Sequence, residues 1–176
     1  ILKEILVLVR IIKEKYKKPK CTAREIEILL YLYLNKNTKT LKTISLELSI
    51  VEPVISKYIK NLSSAELIDK KSRSSTEKLN LMLEKISNID IIYNFIKKLR
   101  KVYDEKKCTL SEIEILLFII YNPKSTITDI YKNLKLPQSS VSKLVQKMCA
   151  LEFVEKKEKT FIPSEKLLAF IDYSLS

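Results

Sequence analysis

Two stretches of the chain, residues 1–17 and 89–106, set apolar side chains at helical spacing with Lys and Arg on the other face, which predicts two amphipathic helices. After each comes a Thr followed three residues later by a Glu: Thr22 with Glu25, and Thr109 with Glu112. At that spacing the hydroxyl accepts from the Glu backbone N–H while the carboxylate reaches back to the Thr N–H, so both pairs predict helix starts. The helices they open, Glu25–Leu34 and Glu112–Tyr121, are apolar nearly all round, as suits a helix buried between others. Leu41, Ile44 and Leu48 mark a short third helix, and Ile127, Ile130 and Leu134 mark its counterpart. A fourth helix is predicted over residues 52–64 and again over 138–150. Strand-like runs follow at Leu67–Lys71 and Phe153–Lys157, and each leads through a polar turn to a last helix, 77–86 or 165–174.

The pattern occurs twice because the sequence does. Cys21-Thr-Ala-Arg-Glu-Ile-Glu-Ile-Leu-Leu30 recurs as Cys108-Thr-Leu-Ser-Glu-Ile-Glu-Ile-Leu-Leu117. After a one-residue gap, Ile44, Leu48, Ser56, Lys57, Glu66, Lys70 and Lys71 fall on Ile130, Leu134, Ser142, Lys143, Glu152, Lys156 and Lys157. Upstream, Ile5 and Tyr16 fall on Ile92 and Tyr103. Such self-similarity predicts one structural unit used twice, residues 1–87 and 88–176, with the boundary near Ser87–Ile89. Helix, helix, short turn, helix and then a basic β-ribbon is the order of a winged helix-turn-helix. The expected fold is therefore mainly α with short β-wings, two tandem winged helix-turn-helix domains.

Each unit resembles the MarR-type family of transcriptional regulators. The resemblance is carried by the recognition element, Leu136-Pro-Gln-Ser-Ser-Val-Ser-Lys-Leu-Val-Gln-Lys-Met148 running on to Lys156, and covers most of each repeat. One departure stands out: the family's turn Gly is Glu66 in the first repeat and Glu152 in the second. A left-handed conformation costs a non-Gly residue about 1–2 kcal/mol, so an altered turn is expected there.

The resemblance implies double-stranded DNA as the partner, read by the 138–150 helix in the major groove. On a helical wheel Val141, Leu144, Val145 and Met148 share one face, while Ser139, Ser142, Lys143, Gln146 and Lys147 fall opposite. Lysines can neutralise phosphate or donate to guanine, and Gln can pair bidentately with adenine. Gln138, Ser139 and Ser140 open the helix, where free N–H groups favour a phosphate. The first repeat keeps Ser56 and Lys57 and adds Lys60 and Asn61. Its helix entrance is instead Val51-Glu52-Pro53-Val54, where Glu52 repels phosphate and the apolar residues offer nothing to a base edge. The second unit is thus expected to be the stronger reader, with the first binding DNA weakly or holding a protein. Both wings are basic, Lys70, Lys71 and Arg73 in the first and Lys156, Lys157 and Lys159 in the second. Such residues suit phosphate and the minor groove, and they also protect a sheet edge from aggregation.

Charge sharpens this picture. Lys and Arg total 33 against 21 Asp and Glu, a net charge of +12 that attracts polyanions. Absence of Gly rules out a Gly-rich phosphate loop, and absence of His removes the commonest general base and metal ligand. Cys21, Cys108 and Cys149 are isolated, with neither metal nor redox spacing, and read as small buried hydrophobes in a reducing compartment. No catalytic residue, metal site or cofactor is expected, nor enzymatic activity. The apolar opening at residues 1–12 is interrupted by Lys3, Glu4 and Arg10, too charged for a membrane span and without a signal-peptide cleavage site. An intracellular, cytoplasmic location follows. The first residue is Ile1 and not Met, which leaves room for residues ahead of it. The Lys-, Ile- and Tyr-rich composition resembles that of archaeal or archaeal-viral proteins.

At about 1.5 Å per residue the 89–106 helix would extend about 26 Å. Two-fold regulators present recognition helices about 34 Å apart, so one covalent chain could act as a monomeric pseudo-dimer, or pair as a homodimer. Unlike repeats then imply an asymmetric DNA site. Two other readings fit the same fold: a tandem winged-helix scaffold for protein–protein contacts, and a plasmid or viral replication or partition protein. The apolar Val51–Val54 entrance favours the scaffold; the net charge and the Ser/Lys/Gln face favour DNA.

Overall fold

The computed structural model describes residues 1–16, 21–35, 40–103 and 108–175, so the ends of the two amphipathic stretches, residues 17 and 104–106, lie outside the described residues. It is mainly helical. The first half holds α1 (Leu2–Lys15), α2 (Ala23–Leu34), α3 (Leu41–Leu48), α4 (Glu52–Ser64) and α5 (Glu77–Leu83). The second holds α6 (Ile89–Tyr103), α7 (Leu110–Tyr121), β1 (Ser125–Thr126), α8 (Ile127–Leu134), α9 (Gln138–Ala150), β2 (Val154–Lys157), β3 (Thr160–Pro163) and α10 (Glu165–Leu175).

Both capping boxes form. Thr22 accepts from the Glu25 N–H, and Glu25 Oε2 accepts from the Thr22 N–H at 2.9 Å. Thr109 and Glu112 repeat the exchange, the return bond measuring 2.6 Å. The helices so started are buried on nearly every side, including Glu25, Glu27, Glu112 and Glu114. Helices apolar all round need cover from more than one neighbour. The cover comes crosswise: α1 lies on α7 of the other half, α6 lies on α2, and α10 closes over α6. Between the halves the chain makes a two-residue antiparallel bridge, Thr22 opposite Thr109, with Ala23 N donating to Cys108 O and Leu110 N to Cys21 O, each at 2.8 Å. Matching ion pairs flank it: Lys13 with Glu114 at 2.7 Å, and Arg100 with Glu27, whose guanidinium Nε and Nη2 face the two carboxylate oxygens.

The small sheet belongs to the second half. Its order is β1-β3-β2, antiparallel, with Ser125 opposite Phe161 and Lys156 opposite that same Phe161 from the other side. Val154 and Phe161 turn into the core and hold it there. In the first half the expected ribbon reduces to one isolated bridge, Ile68 with Ser75, among the described residues. The cause is local. Asp69 Oδ1 accepts from Lys71 N at 3.0 Å and from Ser72 N and Ser72 Oγ at 2.7 Å, a side-chain turn that competes with ladder bonds. Nor does the Ser72–Ser75 stretch supply counterparts of Phe161 and Ile162.

The turn after the fourth helix is not altered, contrary to what its missing Gly implied. Glu66 and Glu152 both stand at φ 58°, squarely left-handed. Thr76 and Ser164 bind these turns in the same way, their hydroxyls donating to the carbonyls of Glu66 (3.0 Å) and Glu152 (2.6 Å). The strain is therefore carried, and Glu66→Gly is expected to raise stability by about 0.5–1 kcal/mol, the left-handed penalty less the entropy that Gly adds to the unfolded chain. In a thermal melt that is a rise of about 2–4 °C per kcal/mol; a fall would mean that the Glu66 side chain stabilises the turn by itself.

Candidate nucleic-acid interface

Helix α9 is seated by Val141, Val145 and Met148, all buried, with Leu144 half-buried beside them. That seating decides where its polar residues go. Ser142 and Gln146 line a groove of about 570 Å³ whose other wall is the wing, where Lys156 and Lys159 project. Thr126 and Thr128, at the junction of β1 and α8, close one end. Glu158, at φ 56° in the β2–β3 turn, also faces this groove and sets a negative charge among the lysines. Lys157 is exposed on β2. Ser140 and Lys143 point the other way, into a cleft of about 390 Å³ shared with Lys13 and Tyr16.

Gln138 and Ser139 are exposed at the start of α9. Its N-cap is Pro137, with no side-chain cap and no acidic residue in the first turn, so the end of the helix keeps its positive dipole unopposed. Helix α4 also lacks a side-chain cap, behind Val51, but carries Glu52 in its first turn. The two starts share an extended, uncapped backbone and differ in the acidic side chain alone. Around α4, Ser56, Lys57 and Lys60 are exposed, as are Lys70 and Lys71 beyond it, while Arg73 is half-buried at φ 52°. Val51 and Leu46 leave large apolar side chains in solvent, 65% and 72% exposed.

Two residues sit differently from the helical wheel. Lys147 turns inward, and its Nζ lies 2.6 Å from Oε1 of the fully buried Glu112 and 5.0 Å above the Tyr103 ring. Asn61, at the matching place on α4, donates to Glu25 Oε1 at 3.0 Å. A wheel assigns faces by hydropathy and cannot see that the capping-box glutamates are buried beneath these helices, where a polar partner is needed. Sequence reasoning also passed over Lys13, Glu27, Arg100 and Glu114, whose only sequence signal is a charge inside an apolar run. Burial pushes the thiols of Cys21 and Cys108 up, away from reactivity; with Cys149, they are free. Among the described residues no helix is long and apolar enough to cross a membrane.

The groove coincides with a family match. The model of the MarR family matches residues 108–159, from the start of α7 through β1, α8 and α9 to the tip of the wing. Members of that family are DNA-binding regulators of transcription. The first half lies outside the match. No curated protein and no solved structure matches the chain.

Proposed function

We propose that the chain binds double-stranded DNA sequence-specifically and regulates transcription. It is read as a tandem of two winged helix-turn-helix units, residues 1–87 and 88–176, joined crosswise into a monomeric pseudo-dimer. The observation that carries this reading is the groove in which Ser142 and Gln146 of α9 face Lys156 and Lys159 of the wing, inside the segment that matches the MarR family. Gln146 and Ser142 offer hydrogen bonds to base edges, Lys143, on the other side of α9, is placed for a phosphate rather than a guanine, and the lysines of the wing meet the backbone. The uncapped start of α9 at Gln138 and Ser139 suits a further phosphate, the Ser140 N–H being held by the Pro137 carbonyl. In the first unit Ser56, Lys57 and Lys60 provide a weaker surface, with Lys70, Lys71 and Arg73 behind it.

Titrating a fluorescent duplex with the protein and following anisotropy tests the proposal. Binding is expected at low salt, and Lys143→Ala/Gln146→Ala is expected to weaken it at least about tenfold, each base contact being worth about 1–3 kcal/mol. A wild type that leaves the duplex untouched even at low salt would overturn the reading. Exposure of Leu46 and Val51 favours a second role for the first unit, a protein contact at Val51, Glu52, Pro53 and Val54. That contact would survive the α9 substitutions.

A further inference from the structure

We infer that Glu25 and Glu112 are positioning residues that hold the two recognition helices, α4 and α9, in one fixed relation across the bridge at Thr22 and Thr109. The inference rests on the DNA-binding reading for its use, and on bonding geometry for its substance.

The polar chain is continuous. From α4, Asn61 Nδ2 donates to Glu25 Oε1 at 3.0 Å. Glu25 Oε2 accepts from Thr22 N and Thr22 Oγ1 at 2.9 and 3.0 Å. Thr22 faces Thr109 across the bridge, where backbone bonds of 2.8 Å run in both directions. Thr109 N and Oγ1 donate to Glu112 Oε2 at 2.6 and 2.7 Å, and Glu112 Oε1 meets the Lys147 ammonium of α9 at 2.6 Å. In each half one carboxylate oxygen caps a helix and the other reaches a recognition helix, Glu25 Oε1 accepting from the Tyr16 hydroxyl as well.

Capping alone needs only one of those oxygens, and filling the interior would be met by Leu at positions 61 and 147. Both positions instead carry a polar end aimed at the same oxygen, though one is Asn and the other Lys. Apolar burial is non-directional and lets a helix slide or roll. Buried hydrogen bonds and ion pairs hold direction, because any shift leaves a desolvated group unmatched. Glu25 is 2% exposed and Glu112 fully buried, so the constraint acts at both ends. Separation of recognition helices sets the separation of the half-sites they can read together. This chain of contacts therefore selects half-site spacing.

The test places spin labels at Ser64→Cys and Ala150→Cys, exposed at the ends of α4 and α9, in a Cys149→Ser background; Cys21 and Cys108 are buried. Pulsed dipolar spectroscopy without DNA then compares this parent with Asn61→Leu combined with Glu112→Gln/Lys147→Met. Gln keeps the cap and leaves no buried charge. A distance distribution at least about twofold wider is expected at unchanged far-ultraviolet circular dichroism, since freed helices sample more orientations. Lys147→Arg, which keeps the ion pair, is expected to retain the narrow distribution. On duplexes whose half-sites are one base pair closer or further apart, the parent should lose about tenfold in affinity and the variant should lose its preference. Should the combined variant unfold, Asn61→Leu alone decides by the same width, because Glu25 keeps its bonds from Thr22 and Tyr16. Unchanged widths overturn the inference whatever the DNA shows. A parent that binds no duplex overturns the DNA reading, while the measured widths still decide whether the two helices are held.

Discussion

Arg100→Met is expected to lower stability by about 3–5 kcal/mol, the cost of stranding a buried charge. Glu27 is fully buried on α2, and the Arg100 guanidinium, brought by α6 from the other half of the chain, supplies its charge partner through a two-pronged contact. Removing the guanidinium leaves a desolvated carboxylate at the contact between the halves. Glu27→Met/Arg100→Met should recover most of the loss, because replacing a whole buried pair by apolar side chains is often neutral. Lys13→Met at the matching pair should cost less, about 1 kcal/mol, since the Lys13 side chain is 39% exposed and water screens it. Urea unfolding followed by circular dichroism measures all three. An Arg100→Met loss below about 1 kcal/mol would mean that water reaches Glu27 in the folded protein.

The same pair predicts a dependence on pH. Burial raises the Glu27 carboxyl above its ordinary 4.5, while Arg100 pulls it back down. A carboxyl raised on folding binds its proton more tightly in the folded state. Its ionisation therefore opposes folding: the cost is absent below 4.5 and complete above the raised value. Without Arg100 the carboxyl rises further, so the deficit of Arg100→Met against wild type should shrink on acidification and grow toward neutral pH. Glu4, Asp69, Asp129 and Glu152, all held below their ordinary values by hydrogen bonds, titrate alike in both proteins and cancel in the difference. A deficit that widened in acid would contradict the assignment.

Helices and their starts were legible in the sequence because their causes are local. Apolar spacing gave the helices, and a Thr with a Glu three residues on gave the starts of α2 and α7. What depends on distant residues was not legible. Periodicity says that α1 and α6 have an apolar face, not that each covers the central helix of the other half. Asn61 and Lys147 were read outward because the carboxylates waiting beneath them lie far off in sequence, Glu25 before Asn61 and Glu112 before Lys147. The first wing was read as a ribbon from Leu67–Lys71 alone, whereas its pairing failed for want of an apolar return strand. The turns at Glu66 and Glu152 show the opposite case, where propensity argued against a conformation that the surrounding bonds impose.

Raising salt from about 50 to 200 mM should weaken DNA binding, and the steepness should tell whether one unit or both meet the duplex. On α9 and its wing the exposed lysines are Lys143, Lys156, Lys157 and Lys159; on α4 and the turn after it they are Lys57, Lys60, Lys70 and Lys71. At about 0.9 counterions released per phosphate contact, the second unit alone gives a slope of about −3.6 in log affinity against log salt, and both together about −7. Over that fourfold rise in salt, affinity falls about a hundredfold in the first case and about ten-thousandfold in the second. Glu52 at the entrance of α4 works against engagement of the first unit, which favours the shallower slope. Lys156→Ala and Lys157→Ala should each flatten the slope by about one, whatever duplex is used. Gln146→Ala should leave the slope alone and relax the preference at a single base pair, because it lines the groove without charge. A wild type that binds duplex with no salt dependence would take the lysines of α9 and the wing out of the interface, since cations on phosphate cannot bind without releasing counterions.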